Sequence, residues 1–457
     1  MIALLLMLAL MHRKSYCKVV PRLAMGPWRV GEQHDGLSGK FSRDVLIRLW
    51  HSGRPWRSLN VVRGEVVGDT VTGNPGREGR IKEDEAGGYV IEIAGKSRVM
   101  LKSGLTNRIP RLLSEAFPKA YKFVVVTDNT VYDIHGKEFC GMLQSHGLEP
   151  IVIRVPSGEH SKTRKWKAYI EDEMILHGCG RDSVLIAFGG GVVGDLGGFV
   201  AATYMRGIPV VQIPTTVMAI VDSSVGGKTA INLESGKNLI GAFHHPALVF
   251  ADVDFLDTLS PNIYNEGVAE IIKMGLVRSL PLFETLESTP TIRDAPASGL
   301  EAIAWAVKLK AEVVEIDEVD KGVRSTLNFG HTVGHAIEAE ASLAGGDASK
   351  MLHGECVAIG MLVELRAAAL EERWLSDETD EILGRLTAVL KKYDLPTSVP
   401  HHMSAQTLLS RMSLDKKNLQ GKVFISKLDG IGKARPIPEP ISEEAMLHAL
   451  GEFGASP

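Results

Sequence analysis

Residues 183–195 read SVLIAFGGGVVGD, and this stretch decides the fold class. Ser183–Phe188 is a short apolar run of the kind that forms a buried strand, and it enters a glycine cluster without a spacer. Leu196–Tyr204 then has a helical pattern. Gly189, Gly191 and Gly194 therefore satisfy GxGxxG between a strand and a helix. Glycines let backbone amides reach a pyrophosphate, and a helix N-terminus favours its charge. A dinucleotide-binding Rossmann site also wants an acid at the end of the next strand, about 20 residues on. Here that strand ends Ile213-Pro214-Thr215-Thr216, with no carboxylate, so the arrangement is not the usual one. Asp128, just past the run Lys122–Thr127, stands at a strand's carboxyl end and can serve the ribose instead. Glu159 and Lys162 follow the strand that ends at Val155 in the same way. The plain alternative for each is a turn residue capping a helix, and for Asp128 alone it is the favoured one.

Outward from the glycine turn, Lys122–Thr127, Pro150–Val155 and Ile208–Pro214 are further strand-like runs, with a helical stretch at Lys165–His177. Strands alternating with helices imply a parallel sheet. After Ser260 long helical periods take over, at 265–278, 300–318, 335–341, 355–372 and 377–393. The expected fold is an N-terminal α/β domain with a parallel sheet (89–260) and a C-terminal all-helical metal- and substrate-binding domain (261–457). A cleft between two such domains is a preferred place for a small-molecule site. No fixed-period repeat is visible.

Before residue 89 the composition differs. Met1–Met11 is apolar but too short to span a bilayer, and no basic residue precedes it. Residues 12–57 carry ten Lys or Arg, including Arg13, Lys14 and Arg57, against three acids, Glu32, Asp35 and Asp44. An Arg-rich, acid-poor leader suits organelle targeting, with a plastid as the expected destination and the cytoplasm as the alternative. Residues 63–88 read as a disordered joint. Over the whole chain of 457 residues, 51 Lys plus Arg against 55 Asp plus Glu leave a net charge of −4. That is not the basic footprint of a general nucleic-acid binder, and no apolar run is long enough for a membrane span. The four cysteines form no CxxC pair, which suits a reducing compartment.

Three further motifs carry chemistry. Ser224–Thr229 (SVGGKT) looks like half a P-loop, but Asp222 stands where a glycine is required, so ATP binding is excluded. Gly226, Gly227 and Lys228 still make an anion pocket, and Gly236-Lys237-Asn238 reads as a second polar turn. Together they favour a phosphorylated or acidic ligand. In Asn328–His335, His331 and His335 share a helix face and suit one metal ion. His353-Gly354-Glu355 opens another helix, and Glu270 and Lys273 lie three apart on a third. Two histidines and a carboxylate with an open position are the pattern of catalytic zinc. Spacing alone selects His331 and His335 and leaves His353 open; ordinary surface or core positions are the alternative. On the helix 300–318, Ile303, Val307, Lys310 and Val314 form an apolar stripe, while Lys308 falls with Glu301, Glu312 and Glu315. Lys310 is thus expected inward and Lys308 outward. An inward ammonium needs an anion: an internal ion pair, or a substrate carboxylate or phosphate beside Arg324 and Asn328.

From about Tyr89 onward the sequence resembles the 3-dehydroquinate synthases of the sugar-phosphate cyclase superfamily. The motifs that carry the resemblance are Phe188–Thr229, Gly236–Gly241, Gly267–Lys273, Leu327–Glu338 and Leu352–Met361. It implies an NAD-binding α/β domain, a helical metal domain, a homodimer, and NAD with one Zn2+ (or Co2+) as cofactors. It implies Glu270, His331 and His353 as metal ligands, with His335 moved to the substrate. Asp128, Glu159, Lys162, Gly190, Gly191, Val192, Asp195, Thr215, Thr216, Lys237, Phe255 and Thr258 match cofactor-contact positions. Arg206, Asp222, Lys228, Asn238, Lys273, Lys310, Arg324, Asn328 and His335 match substrate or catalytic positions, as does one of Lys416 and Lys417. Ile263 departs from the pattern, standing where many members have Glu. The implied reaction is conversion of 3-deoxy-D-arabino-heptulosonate 7-phosphate to 3-dehydroquinate and phosphate, in the shikimate pathway. Rival readings are another sugar-phosphate cyclase, a metal-dependent NAD alcohol dehydrogenase of related fold, or a non-catalytic binding relic.

Overall fold

The computed structural model describes residues 87–343, 351–372, 377–413 and 422–457. These fall in one compact unit, Ser58–Pro457. The segment read as a targeting leader, and Lys416 and Lys417, lie outside the described residues.

Strands β1 (Tyr89–Ile93), β2 (Ser97–Lys102), β3 (Lys122–Asp128), β4 (Pro150–Val155), β5 (Ser183–Gly189) and β6 (Val210–Pro214) are followed by a hairpin of β7 (Lys228–Leu233) and β8 (Gly236–Phe243), then β9 (Leu248–Asp252). The main sheet has seven strands in the order β1-β2-β9-β6-β5-β3-β4. All its pairs are parallel except β1 with β2. Every residue of β5 is buried. That explains its unbroken apolar reading, since a central parallel strand is covered on both faces. Val124, Val126, Leu185 and Ala187 pack on one face against Leu196 and Val200. Their neighbours Val125, Ile186 and Phe188 pack on the other with Phe139 and Ile213. This is the two-residue period of a pleated strand.

Strand order positions the site. From β3 the chain crosses outward to β4, then returns to place β5 on the other side of β3. The order reverses between β3 and β5, and ligands of open α/β sheets bind outside the carboxyl ends of strands at such a point. Asp128 ends β3 and Gly189 ends β5.

After β9 the chain is mostly helical. The helices that matter below are α2 (Pro261–Arg278), α3 (Pro296–Ile316), α4 (His331–Leu343) and α5 (His353–Glu371); α1 (Gly191–Thr203) is the helix after the glycine turn. One small antiparallel pair, β10 (Val423–Ile425) with β11 (Glu439–Ile441), interrupts the helical region. A single apolar cluster holds Ile91, Val99 and Val249 of the sheet together with Ile271, Val307, Val314, Leu327 and Met361 of the helical part. Packing is therefore continuous across residue 260.

The expected orientation of Lys308 is wrong. Lys308 is as buried as Lys310 and sits 3.7 Å from Glu312, one turn on. Helix α3 touches β1, α2, the helix Leu280–Ser288 and the turn Val323–Asn328. A helix packed on several sides has no solvent face at that level, so the ammonium pairs within its own helix.

Candidate active site

The glycine turn is built as its sequence implies. Gly190 caps α1, with extended backbone, and the helix starts at Gly191 directly off β5. A Cβ on Gly190 would lie 3.4 Å from Thr216, and one on Gly191 3.0 Å from Ser223. The glycines thus let the turn pack closely on Thr216 and Ser223, and the N–H groups that open α1, Val192 among them in the first turn, are of the kind that bind a pyrophosphate. Thr215 donates its N–H to Gly189 at 3.0 Å, and Thr216 Oγ1 accepts from Ala219 N–H at 3.1 Å, which ties the end of β6 to the turn. Phe255 packs against Phe188 at a tilt of 56°, with ring centroids 5.4 Å apart, and Thr258 Oγ1 lies 3.0 Å from His135. Asp128 caps the turn that follows it: its Oδ1 accepts from Val131 N–H and Ser157 Oγ, at 3.0 and 2.8 Å. Glu159 accepts from Asn232 at 2.7 Å. Asp195 is ion-paired with Lys162, whose ammonium also donates to Asn238. Burial pushes the Asp195 carboxyl up, and Lys162 opposes it. The carboxylates of Asp128 and Glu159, which can accept from ribose hydroxyls, and the glycine turn at the sheet's switch point fit an NAD-sized dinucleotide.

The segment Ser224–Thr229 leads into strand β7, not a helix, which removes the P-loop geometry as well as its sequence. Likewise Lys237 and Asn238 belong to β8, so the second polar turn is the start of a hairpin strand. Asn238 holds a positive φ of 55°. Lys228, half exposed, pairs with Asp320. Arg324 is buried; its guanidinium donates to the carbonyls of Glu318 at 2.6 Å and Gly226 at 3.3 Å. No described carboxylate lies within ion-pair distance of it. Lys310 finds an internal anion, donating to the carboxylate and the carbonyl of Asp222. Burial resists the charge of Asp222, but Lys310 and Lys273 hold it well below the usual carboxylate range. Asn328 ends the short turn Val323–Asn328 that carries Arg324.

The metal candidates come from three helices. Glu270 lies mid-helix in α2 and is buried; one carboxylate oxygen pairs with Lys273. Its other oxygen, Oε1, is buried without a hydrogen-bond partner. That atom faces His331 Nε2 at 3.6 Å and His353 Nε2 at 4.0 Å. An orphaned carboxylate oxygen between two imidazole nitrogens is a donor set for a divalent ion such as zinc. His335 groups instead with Glu338 and His353, which corrects the ligand pair chosen from spacing. His331 opens its helix, where it meets α2 and α5, while His335 is one turn, about 5.4 Å, further along.

Close backbone contact makes this convergence possible. A Cβ on Gly360 would lie 2.0 Å from the Gly330 carbonyl oxygen, and one on Gly354 1.9 Å from that of Glu266. Only glycine allows α5 so near to α4 and α2. Glu364, a residue the sequence reading missed, is fully buried and accepts from Gly330 and Val333 N–H at 2.9 and 3.1 Å. It fixes the start of the histidine helix. A carboxylate in a run as apolar as CVAIGMLVEL was the available signal.

The nucleotide turn and the metal candidates adjoin through Asp222 and Ser223: Ser223 faces Gly191, and Asp222 feels Lys273 and His353. Arg206 is not brought in. It is exposed after the far end of α1, roughly 18 Å along the axis from Gly191. Ile263 is half buried in the first turn of α2.

Comparisons with known proteins agree with this geometry. A family model described as 3-dehydroquinate synthase N-terminal matches residues 152–266, and one described as 3-dehydroquinate synthase C-terminal matches 267–418. A 3-dehydroquinate synthase from Thermodesulfovibrio yellowstonii is 41% identical, across 75% of this chain and 92% of its own. The solved 2-epi-5-epi-valiolone synthase from Streptomyces hygroscopicus, with NAD+ and Zn2+ bound, has a TM-score of 0.68 at 26% identity, covering 78% of this chain and 96% of its own. A 2-deoxy-scyllo-inosose synthase complexed with carbaglucose-6-phosphate, NAD+ and Co2+ shares the fold, with a TM-score of 0.67 at 22% identity over 80% of this chain and 99% of its own.

Proposed function

The chain belongs to the 3-dehydroquinate synthase family, and on that premise we propose that its site converts 3-deoxy-D-arabino-heptulosonate 7-phosphate to 3-dehydroquinate and phosphate. One observation carries the choice of substrate within the superfamily. Arg324 is a buried guanidinium whose hydrogen bonds go only to backbone carbonyls, while Asp320, Asp222, Asp317 and Glu318 act on its charge from beyond ion-pair distance. A buried cation needs an anion, and a planar fork suits a carboxylate. A sugar phosphate without a carboxylate would leave its fork without a bidentate partner.

When bound, NAD supplies a hydride acceptor and the divalent ion a Lewis acid at the oxidised hydroxyl. Glu270, His331 and His353 hold the ion, and the Gly189–Gly191 turn with Thr215 and Thr216 holds the dinucleotide. Arg324 takes the substrate carboxylate, with Lys310 fixed behind it by Asp222. Lys228 and Asn238 take the phosphate. An incoming phosphate displaces Asp320 from Lys228, one anion for another. Lys273 and His335 line the reacting carbons. The protein's contribution is positioning and charge stabilisation, and the substrate's own phosphate is the base nearest the proton lost in elimination.

Two further readings belong to the same proposal. Pairing as a homodimer is checked by sedimentation. Plastid delivery is supported by the basic, acid-poor leader and checked by fusing residues 1–88 to a fluorescent protein. For the reaction, the purified chain with zinc and NAD is expected to release phosphate from the heptulosonate. It is expected to leave glucose 6-phosphate and sedoheptulose 7-phosphate, which lack the carboxylate, untouched. Release from either of those alone would assign another cyclase activity.

A further inference from the structure

His353 stands in two groups at once. Its Nε2 lies 4.0 Å from Glu270 Oε1, in the metal triad, and its Nδ1 lies 3.3 Å from Glu338 Oε2. Geometry alone allows Glu338, with His335 and His353, to form a second metal group. A neutral imidazole has one lone pair and one N–H, so it cannot ligate through both nitrogens. One side must receive the proton. Glu338 already accepts from the ammonium of Lys237 at 2.8 Å and is mostly buried. Its charge is spoken for by a cation on the β7–β8 hairpin. Glu270 Oε1, by contrast, has no hydrogen-bond partner.

We propose that Glu338 is a positioning residue for the metal centre: it accepts the Nδ1 proton of His353, leaving the Nε2 lone pair for the ion. Lys237 holds Glu338 in that role from the nucleotide side of the site. The inference rests on the metal reading given above. A carboxylate behind a ligating histidine fixes its tautomer and ring orientation and raises its basicity. The hairpin that carries Lys237 also carries Asn238, which is bonded to Lys162 and through it to Asp195 of the glycine helix. One line of contacts therefore runs from α1 through the hairpin to a metal ligand.

The test is zinc affinity of the full chain, by competition with a chromophoric chelator, with no substrate present. Glu338→Ala should weaken zinc binding about 10- to 100-fold. Glu338→Gln keeps a carbonyl oxygen that accepts the Nδ1 proton, so it should recover most of that loss. Lys237→Met should weaken binding less than Glu338→Ala. The visible spectrum of the cobalt-loaded chain should change in Glu338→Ala and remain close to wild type in Glu338→Gln. Glu340→Gln, on the same helix but paired with Arg411, is the folding control. Wild-type zinc affinity in Glu338→Ala, or equal loss in the Ala and Gln variants, overturns the proposal. So does a stoichiometry of two ions per chain, which would make Glu338 a ligand. Should His331→Ala also keep its zinc, the metal reading itself fails, and that result is distinct from the others.

Discussion

The nucleotide turn and the metal centre lie side by side but are made differently. The turn is backbone: Gly189 to Gly191, consecutive in the chain, at one strand–helix junction. The proposed metal centre is side chains from three helices, Glu270, His331 and His353, brought together by glycines that let those helices touch. A site made of consecutive backbone can be read from one stretch of sequence. A site made of distant side chains shows only its fragments until the helices are packed.

That contrast can be broken by substitution. The largest effect is expected at Glu270. Glu270→Ala removes a ligand and strands the buried ammonium of Lys273, a loss of about 3–5 kcal/mol. His331→Ala should lose metal as fully without that stability cost. Metal analysis and denaturant titration of the pair separate the two effects; equal destabilisation would mean that Asp222 suffices as the anion for Lys273. Next comes Gly360→Ala, whose Cβ would meet a backbone carbonyl at 2.0 Å. Overpacking of this kind costs about 1–3 kcal/mol and should weaken zinc binding by separating α5 from α4. Gly190→Ala sharpens the comparison from the other side. Its Cβ makes only ordinary contact with Thr216, so the fold and zinc affinity should persist while NAD affinity falls, as calorimetry would show. A joint loss of both ligands would make the two regions one unit. Lys228→Ala should retain zinc and NAD and raise KM for the phosphorylated substrate.

The smallest effect concerns Asp317. Burial raises its pKa, but the N–H groups of Lys321, Arg324 and Gly322 outweigh that and lower it below the usual range. A carboxyl depressed in the folded state stabilises above its unfolded pKa, about 3.9, and loses that contribution as pH falls through the folded value. Asp317→Asn should therefore flatten the acid limb of the stability–pH curve and leave neutral pH activity nearly intact.

Much of the fold was legible in the residues. The runs at 122–127, 150–155 and 183–188 are strands because β-branched and apolar residues fill a sheet covered on both faces. Two helices begin four residues earlier than their apolar period suggested, at Pro261 and Pro296. Proline at the first helical turn was the overlooked start signal. β9 was also written plainly, as LVFAD, but β7 and β8 were masked by glycines and lysines that drew the reading toward turns. Lys310 was placed inward correctly, and Lys308 was not, because a helical wheel shows a face and not what covers it. The histidine pair failed for a related reason: spacing along one helix selects His335 and is silent on His353, which only the approach of α5 to α2 brings to Glu270 and His331. Glu364 was marked only by the apolar run around it, and Glu338, which meets a histidine of another helix, by no local pattern.

The claim that both regions serve a single turnover is tested most directly by following phosphate release and absorbance at the NADH band together, with heptulosonate in excess over the zinc- and NAD-loaded chain. The account predicts continuous phosphate release with no net rise in NADH. Accumulation of one NADH for each substrate consumed would contradict it and make the chain a dehydrogenase.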